Sequence, residues 1–296
     1  MTDTVDFWQS SFRLGYALFL TGGCFVVTLA HFLMEPLRWN TCYLARERDA
    51  PTRAGVRDAL FSTALASYIL PFKLGIPLRF FLLRRTAGFS AHFLGVVVAL
   101  DGIVSLVAWT SLTAVAAYLS ALQWNPPWYL WVGTVAAGVI FCALLIARRS
   151  LASRWLAGLT DALATFDRPW NRILRSSAIV CVDVISYGVR HAGLLLLVSG
   201  ESRHLFVGGS IGIVATFAGI ISGLPMGLLG YDAALVGLLT LSGVKLEHAL
   251  LVALVNRVLN LLAAAVLGIP AAMRLGIGSS IGVIIAKFRE IGNGKI

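Results

Sequence analysis

Long apolar runs, broken at a few places by polar residues, organise this chain. The first covers 12–34 and is followed by a polar stretch holding Arg38, Arg46, Arg48, Arg53 and Arg57. A second, 60–85, is broken in its middle, and a third, 91–122, is crossed by the single acid Asp101. An uncharged turn, QWNPPW at 123–128, leads into a fourth run over 129–147. Further runs cover 177–199, which contains Asp183, Arg190 and His191, and 205–243, again broken in its middle. The last, 248–270, carries Asn256, Arg257 and Asn260. About 20 apolar residues cross the roughly 30 Å of bilayer hydrocarbon as a helix. The pattern therefore predicts an all-α polytopic membrane protein with about six to eight transmembrane or re-entrant helices.

The two breaks are the sharpest local features. LPFKLGIPLR (70–79) places Pro71, Lys73, Gly75, Pro77 and Arg79 close together, and proline removes a backbone donor and clashes with the preceding turn. Each apolar piece beside this break is short for a full span, and Arg84 and Arg85 follow it. A hairpin that enters and returns to the same side is expected. LPMGLLGYDAAL (224–235) forms the second break, with Pro225, Gly227 and Gly230 followed by Asp232. Irregular backbone at membrane depth is tolerated only inside protein or beside a wet cavity.

Leu70-Pro71 is followed by Gly88 and Asp101 at nearly the spacing that separates Leu224-Pro225 from Gly243 and Asn256. Two inverted repeats, each with a broken helix, are expected, about 12–147 and 176–270. An in-plane helix would join them at 150–175, where Leu156, Leu159, Leu163, Phe166 and Trp170 share one face. A basic tail, 271–296, completes one membrane domain. Inverted repeats around discontinuous helices place a transporter's site at their interface.

Composition narrows the class. The 296 residues are 58% hydrophobic and only 13% charged, against about 25% charged in soluble domains. A net charge of +10 would suggest nucleic acid in a soluble protein; here its distribution matters more. Most of the 24 Lys and Arg fall on loops that the positive-inside rule assigns to the cytoplasm, which sets the N-terminus outside. The opening MTDTVDFWQS lacks a basic lead, so the first run is expected to stay as an anchor. Four scattered cysteines and five histidines without ligand spacing suggest neither a disulfide framework nor a metal site. No cofactor is expected.

Intramembrane charge marks function by default. Lys73 and Arg79 flank the first break, where they either hold a phosphate or snorkel to the headgroups. Arg190 lies two turns from Asp183 on one face, so the two form a structural pair or Asp183 steadies Arg190 for a lipid phosphate. Arg257 is the strongest single candidate, and Asn256 and Asn260 either orient it or close a contact between helices. Asp232 pairs with Arg190 or Arg257, or caps the half-helix that starts there. Asp101 is either a proton-coupling acid or a partner of Arg79, and Asp183 is the other candidate proton site of a coupled carrier. No Ser/His/Asp arrangement or paired carboxylates point to catalysis.

The stretches LPFKLGIPLRFFLLRRTAG (70–88) and LPMGLLGYDAALVGLLTLSGVKLEHALLVALVNRVLNLL (224–262) resemble the lysylphosphatidylglycerol synthase transmembrane region, a flippase-like family. Its motifs map to Pro71, Gly75 and Arg79, then to Pro225, Gly227, Gly230, Asp232, Gly243 and Arg257. The chain departs from the family in having Asp where Glu is common, at Asp232, and only Asp101 where a polar cluster follows the first break. The resemblance implies movement of anionic lipids between leaflets of the inner membrane, including phospholipids and polyprenyl-phosphate-linked lipids. Residues 73, 79, 190 and 257 would receive the headgroup. A membrane enzyme acting on a polyprenyl phosphate is one alternative. The other is a non-catalytic subunit of an envelope-glycan or lipid synthesis complex, with homo-oligomers or envelope-synthesis partners.

Overall fold

The computed structural model describes residues 2–43, 50–69, 75–124, 169–202, 205–221 and 230–277. The turn at 125–128, the run 129–147, the linker over 150–168 and most of the tail lie outside them, as do Lys73, Pro71, Pro225 and Gly227. Among the described residues there are eight α-helices and no strand. They are α1 Thr2–Arg38, α2 Ala50–Ile69, α3 Gly75–Ala87, α4 Ala91–Trp124, α5 Pro169–Ser199, α6 Leu205–Ile221, α7 Gly230–Leu241 and α8 Leu246–Arg274. Four of these, α1, α4, α5 and α8, contain stretches long and apolar enough to cross a membrane. Leucine and valine stripes face outward on them, as with Val182, Ile185 and Val189 on α5 and Leu250, Leu254 and Leu261 on α8. This is an all-α polytopic membrane protein.

Several helices outrun the apolar runs that predict them. α1 passes 34 and continues as a π-helical turn, Trp39–Tyr43, just beyond Pro36. Its polar end persists because Glu35 and Arg38 are paired rather than hydrated. α2 starts at Ala50 instead of 60, since Asp58 is buried against Arg274 of α8 through two 2.8 Å hydrogen bonds. The expected joint at 150–175 ends inside α5, whose first position is Pro169, where the missing N–H costs no helical bond.

α2 and α3 form an antiparallel hairpin. Gly55 lies against Thr86 near its base, and Gly75 meets Thr63 and Ser67 near its tip. A Cβ at Gly75 would sit 1.9 Å from Ser67 Oγ, so the close approach requires glycine there. Pro77 occupies the first turn of α3, where helices accept proline. Gly88, at φ 64°, ends α3, and Ser90 Oγ accepts the Phe93 N–H to start α4.

α5 is the central helix, packed against α1, α4, α6 and α8. It meets α6 through small residues: Gly209 lies against Gly188, and Gly212 against the His191 ring, the close approach that membrane helices use in place of hydrophobic drive.

The helix ends carrying Arg38, Arg57, Arg84, Arg85, Arg172 and Arg274 gather at one end of the bundle. Arg172 reaches the Cys42 carbonyl at 3.1 Å, Arg274 reaches Asp58, and Gly55 touches Thr86. The α2–α3 hairpin opens at this basic end. α6 follows α5, and α7 precedes α8, at the opposite end, so the second pair runs the other way along the bundle. Tyr68, on the last turn of α2, packs in a cluster with Ala263 and Ala264, and Tyr231 at the start of α7 bonds Asn256. Both inner ends thus lie beside the middle of α8, within about 12 Å of each other along its axis at 1.5 Å per residue.

Candidate functional site

The middle of the bundle is threaded by polar side chains from one face of α1. Thr28, His31, Glu35 and Arg38 recur at intervals of three and four, which stacks them along a helix. Each meets a different partner. Arg38 donates to Asp101 at 2.8 Å and to Ser105 at 3.0 Å on α4. Glu35 accepts two bonds from Arg79 on α3. His31 uses Nδ1 on Asp183 and Nε2 on the Tyr187 hydroxyl, both on α5. Thr28, whose hydroxyl donates to the Cys24 carbonyl, accepts from Arg190 at 3.4 Å.

Among the described residues Arg190 is the most enclosed charge, at 1% exposure. Its Nη1 donates to Asn260 Oδ1 at 2.9 Å, and its guanidinium lies over the Tyr187 ring, 4.6 Å from the centroid. Nε and Nη2 are buried and have no hydrogen-bond partner among the described residues. Those two nitrogens form one edge of the planar group, the geometry that receives two oxygens of one oxyanion.

A neutral network lies beside it. His191 Nδ1 is 2.7 Å from the Tyr187 carbonyl, which can only accept, so Nδ1 carries the proton. Nε2 then accepts from Tyr231 at 2.6 Å, and Tyr231 in turn accepts from Asn256 Nδ2 at 2.7 Å. Through these bonds α5, α7 and α8 share one polar layer. At its edge Arg257 holds Asp232 bidentately, with both side chains partly exposed at 25% and 30%.

A cavity of about 140 Å³ opens along α1 beside this layer. His31, Glu35, Arg38 and Asp183 supply its polar wall, and Phe32 and Ile179 are among its apolar residues. It has room for several waters with polar partners. No three His, Cys, Asp or Glu side chains among the described residues converge as metal ligands would.

The pairings differ from several expected ones. Asp183 bonds His31 rather than Arg190: two turns of one helix separate the two α5 residues by about 10 Å, so each meets the α1 residue at its own level. Asp101 bonds Arg38, and Arg79 takes Glu35 instead of Asp101. Asp232 selects Arg257 from its two candidates. Asn256 and Asn260 close contacts between helices, to Tyr231 and Arg190, and do not bond Arg257. Arg190 and Arg257 both lie within electrostatic reach of Tyr68, while Arg79 sits nearer the basic end with Glu35, two turns of α1 from Thr28. Thr28, His31, Glu35, Arg38, Tyr187 and Tyr231 were not singled out by composition or motif. The signal for the first four was their helical spacing across the end of the first apolar run.

A family model described as the lysylphosphatidylglycerol synthase TM region matches residues 2–268. No curated protein and no solved structure matches the chain.

Proposed function

Because the chain belongs to the lysylphosphatidylglycerol synthase TM-region family, we propose that it moves an anionic lipid between leaflets, with Arg190 as the seat of the headgroup phosphate. The observation that carries this is the buried Nε–Nη2 edge of Arg190. Two buried guanidinium donors without acceptors cost about 1–3 kcal/mol each, and a docked phosphate would offset that cost. The phosphate would gain two charge-assisted bonds at the depth where crossing hydrocarbon is otherwise most unfavourable.

The other cations differ in role. Glu35 and Asp232 already match Arg79 and Arg257, so these guide a headgroup only by exchanging partners. Arg257, a quarter exposed, is the better placed to do so. The α2–α3 and α6–α7 pairs act as re-entrant hairpins from opposite leaflets, and the headgroup passes between their inner ends while its tails stay in the bilayer. The protein is a carrier and not a catalyst. Its basic end faces the cytoplasm of a cell whose inner membrane it spans, as the positive-inside rule assigns.

Liposomes holding the protein and a tail-labelled phosphatidylglycerol test this. The wild type is expected to expose inner-leaflet label to a membrane-impermeant quencher, and Arg190→Gln to slow this about tenfold or more, the loss of one charge-assisted contact or greater. Equal rates for folded wild type and Arg190→Gln would contradict the assignment. Chemical conversion of the lipid without exchange would favour an enzyme.

A further inference from the structure

We propose that His31 and Asp183 form a proton-binding site linked to Arg190, so that an anionic headgroup binds together with a proton. The inference rests on Arg190 as the headgroup seat and adds the ion that accompanies it.

Connectivity comes first. His31 bonds Asp183 through one ring nitrogen and the Tyr187 hydroxyl, at 2.9 Å, through the other. The same Tyr187 ring lies under the Arg190 guanidinium, 4.6 Å from its Cζ. A single aromatic side chain therefore separates the titratable pair from the open donor edge.

Charge balance comes second. Among the described charges of this part of the bundle Glu35 matches Arg79 and Asp101 matches Arg38, which leaves Arg190 and Asp183. With His31 neutral these two sum to zero. A phosphate monoanion on Arg190 would then leave one uncompensated negative charge in a medium where such charge is costly. A proton on the His31–Asp183 pair restores neutrality.

Access comes third. The cavity of about 140 Å³ touches His31 and Asp183 and continues to Glu35 and Arg38, towards the basic end. Waters there can deliver a proton without passing Arg190. Around the pair, Glu35 and Arg38 on α1 line the same cavity and are matched by Arg79 on α3 and Asp101 on α4; on the other side Tyr187 is neighboured by Arg190 and His191 on α5, Tyr68 on α2 and Tyr231 on α7, and α8 adds the neutral Asn260 on Arg190.

Linkage is reciprocal: if the anion favours proton uptake, acid favours the anion by the same factor. The intact chain in detergent is titrated with a short-chain phosphatidylglycerol, and heats are compared in two buffers of different ionisation enthalpy. Wild type is expected to take up close to one proton per lipid, with affinity falling about tenfold for each pH unit over which that uptake holds, between about pH 6 and about pH 8. His31→Gln and Asp183→Asn are expected to bind without uptake or pH dependence, and either one suffices if the other fails to fold. Lipid binding by wild type without proton uptake overturns the coupling and leaves the headgroup seat standing. Unchanged uptake in both variants also overturns the coupling. Absence of binding by wild type, or equal binding by Arg190→Gln, overturns both. The same uptake with inorganic phosphate alone would mark a free phosphate as the ligand, and its absence a lipid headgroup.

Discussion

Arg190 is held by one half of its guanidinium, through Asn260 and Thr28, while the other half points its donors into the protein. Asn260→Leu would leave Nη1 with only its long 3.4 Å contact to Thr28, at a cost of about 1–3 kcal/mol, read as a lowered melting temperature in detergent. Glu35→Gln would strand Arg79. Removing one partner of a buried pair costs about 3–5 kcal/mol, and exposure of roughly a quarter on both side chains brings the expectation down to about 1–3 kcal/mol. The double change Glu35→Gln with Arg79→Gln should recover most of that loss; an additive loss would show that the pair is not coupled. The candidates within the α5 and α8 spans were legible in the sequence because a charge in an apolar run stands out. Their partners were not, since which carboxylate meets which arginine depends on helix level, and Asp183 and Arg190 share a face without sharing a level. His31, Glu35 and Arg38 had a readable signal in their spacing, masked because Glu35 and Arg38 lie just past the apolar core of the first run.

Helix pairing here is set by glycines at a few contacts. A Cβ at Gly212 would sit 2.3 Å from the His191 ring, and one at Gly268 would sit 2.5 Å from Leu65 Cβ. Gly212→Ala should therefore push α6 from α5 and disturb the His191–Tyr231 bond, destabilising by about 1–3 kcal/mol. Gly237→Ala, with nothing within 4 Å of its added Cβ, is the matched control and should leave the melting temperature unchanged or slightly raised. Equal effects of the two would show that the α5–α6 contact is looser than described. α3 and α7 begin at Gly75 and Gly230, inside the stretches 70–79 and 224–235 expected to break, so Gly75, Pro77 and Gly230 start helices there, while Pro71, Pro225 and Gly227 lie outside the described residues. The full reach of α2 was not readable in the sequence, because its first turns are polar and are fixed by Arg274, more than 200 positions away along the chain.

Across the whole molecule, the α2–α3 and α6–α7 pairs run from opposite ends of the bundle and bring Tyr68 and Tyr231 beside the middle of α8, and the basic helix ends collect on one side. In a cysteine-free background in intact cells, a cysteine at Arg85 should resist a membrane-impermeant thiol reagent, while one at Glu201, exposed at the far end of α5, should react; the reverse would invert the orientation. The architecture was legible as an alternation of apolar runs, whereas the convergence of the two inner ends needed helix-on-helix register that no local pattern encodes. The central claim is that a lipid phosphate sits on the Nε–Nη2 edge of Arg190. Solid-state NMR of the protein in phosphatidylglycerol bilayers, measuring phosphorus-to-nitrogen dipolar coupling to arginine guanidinium groups, addresses it directly. A coupling corresponding to about 4 Å, present in wild type and lost in Arg190→Gln, is predicted. A coupling unchanged by that substitution, or none beyond the surface arginines, would contradict it.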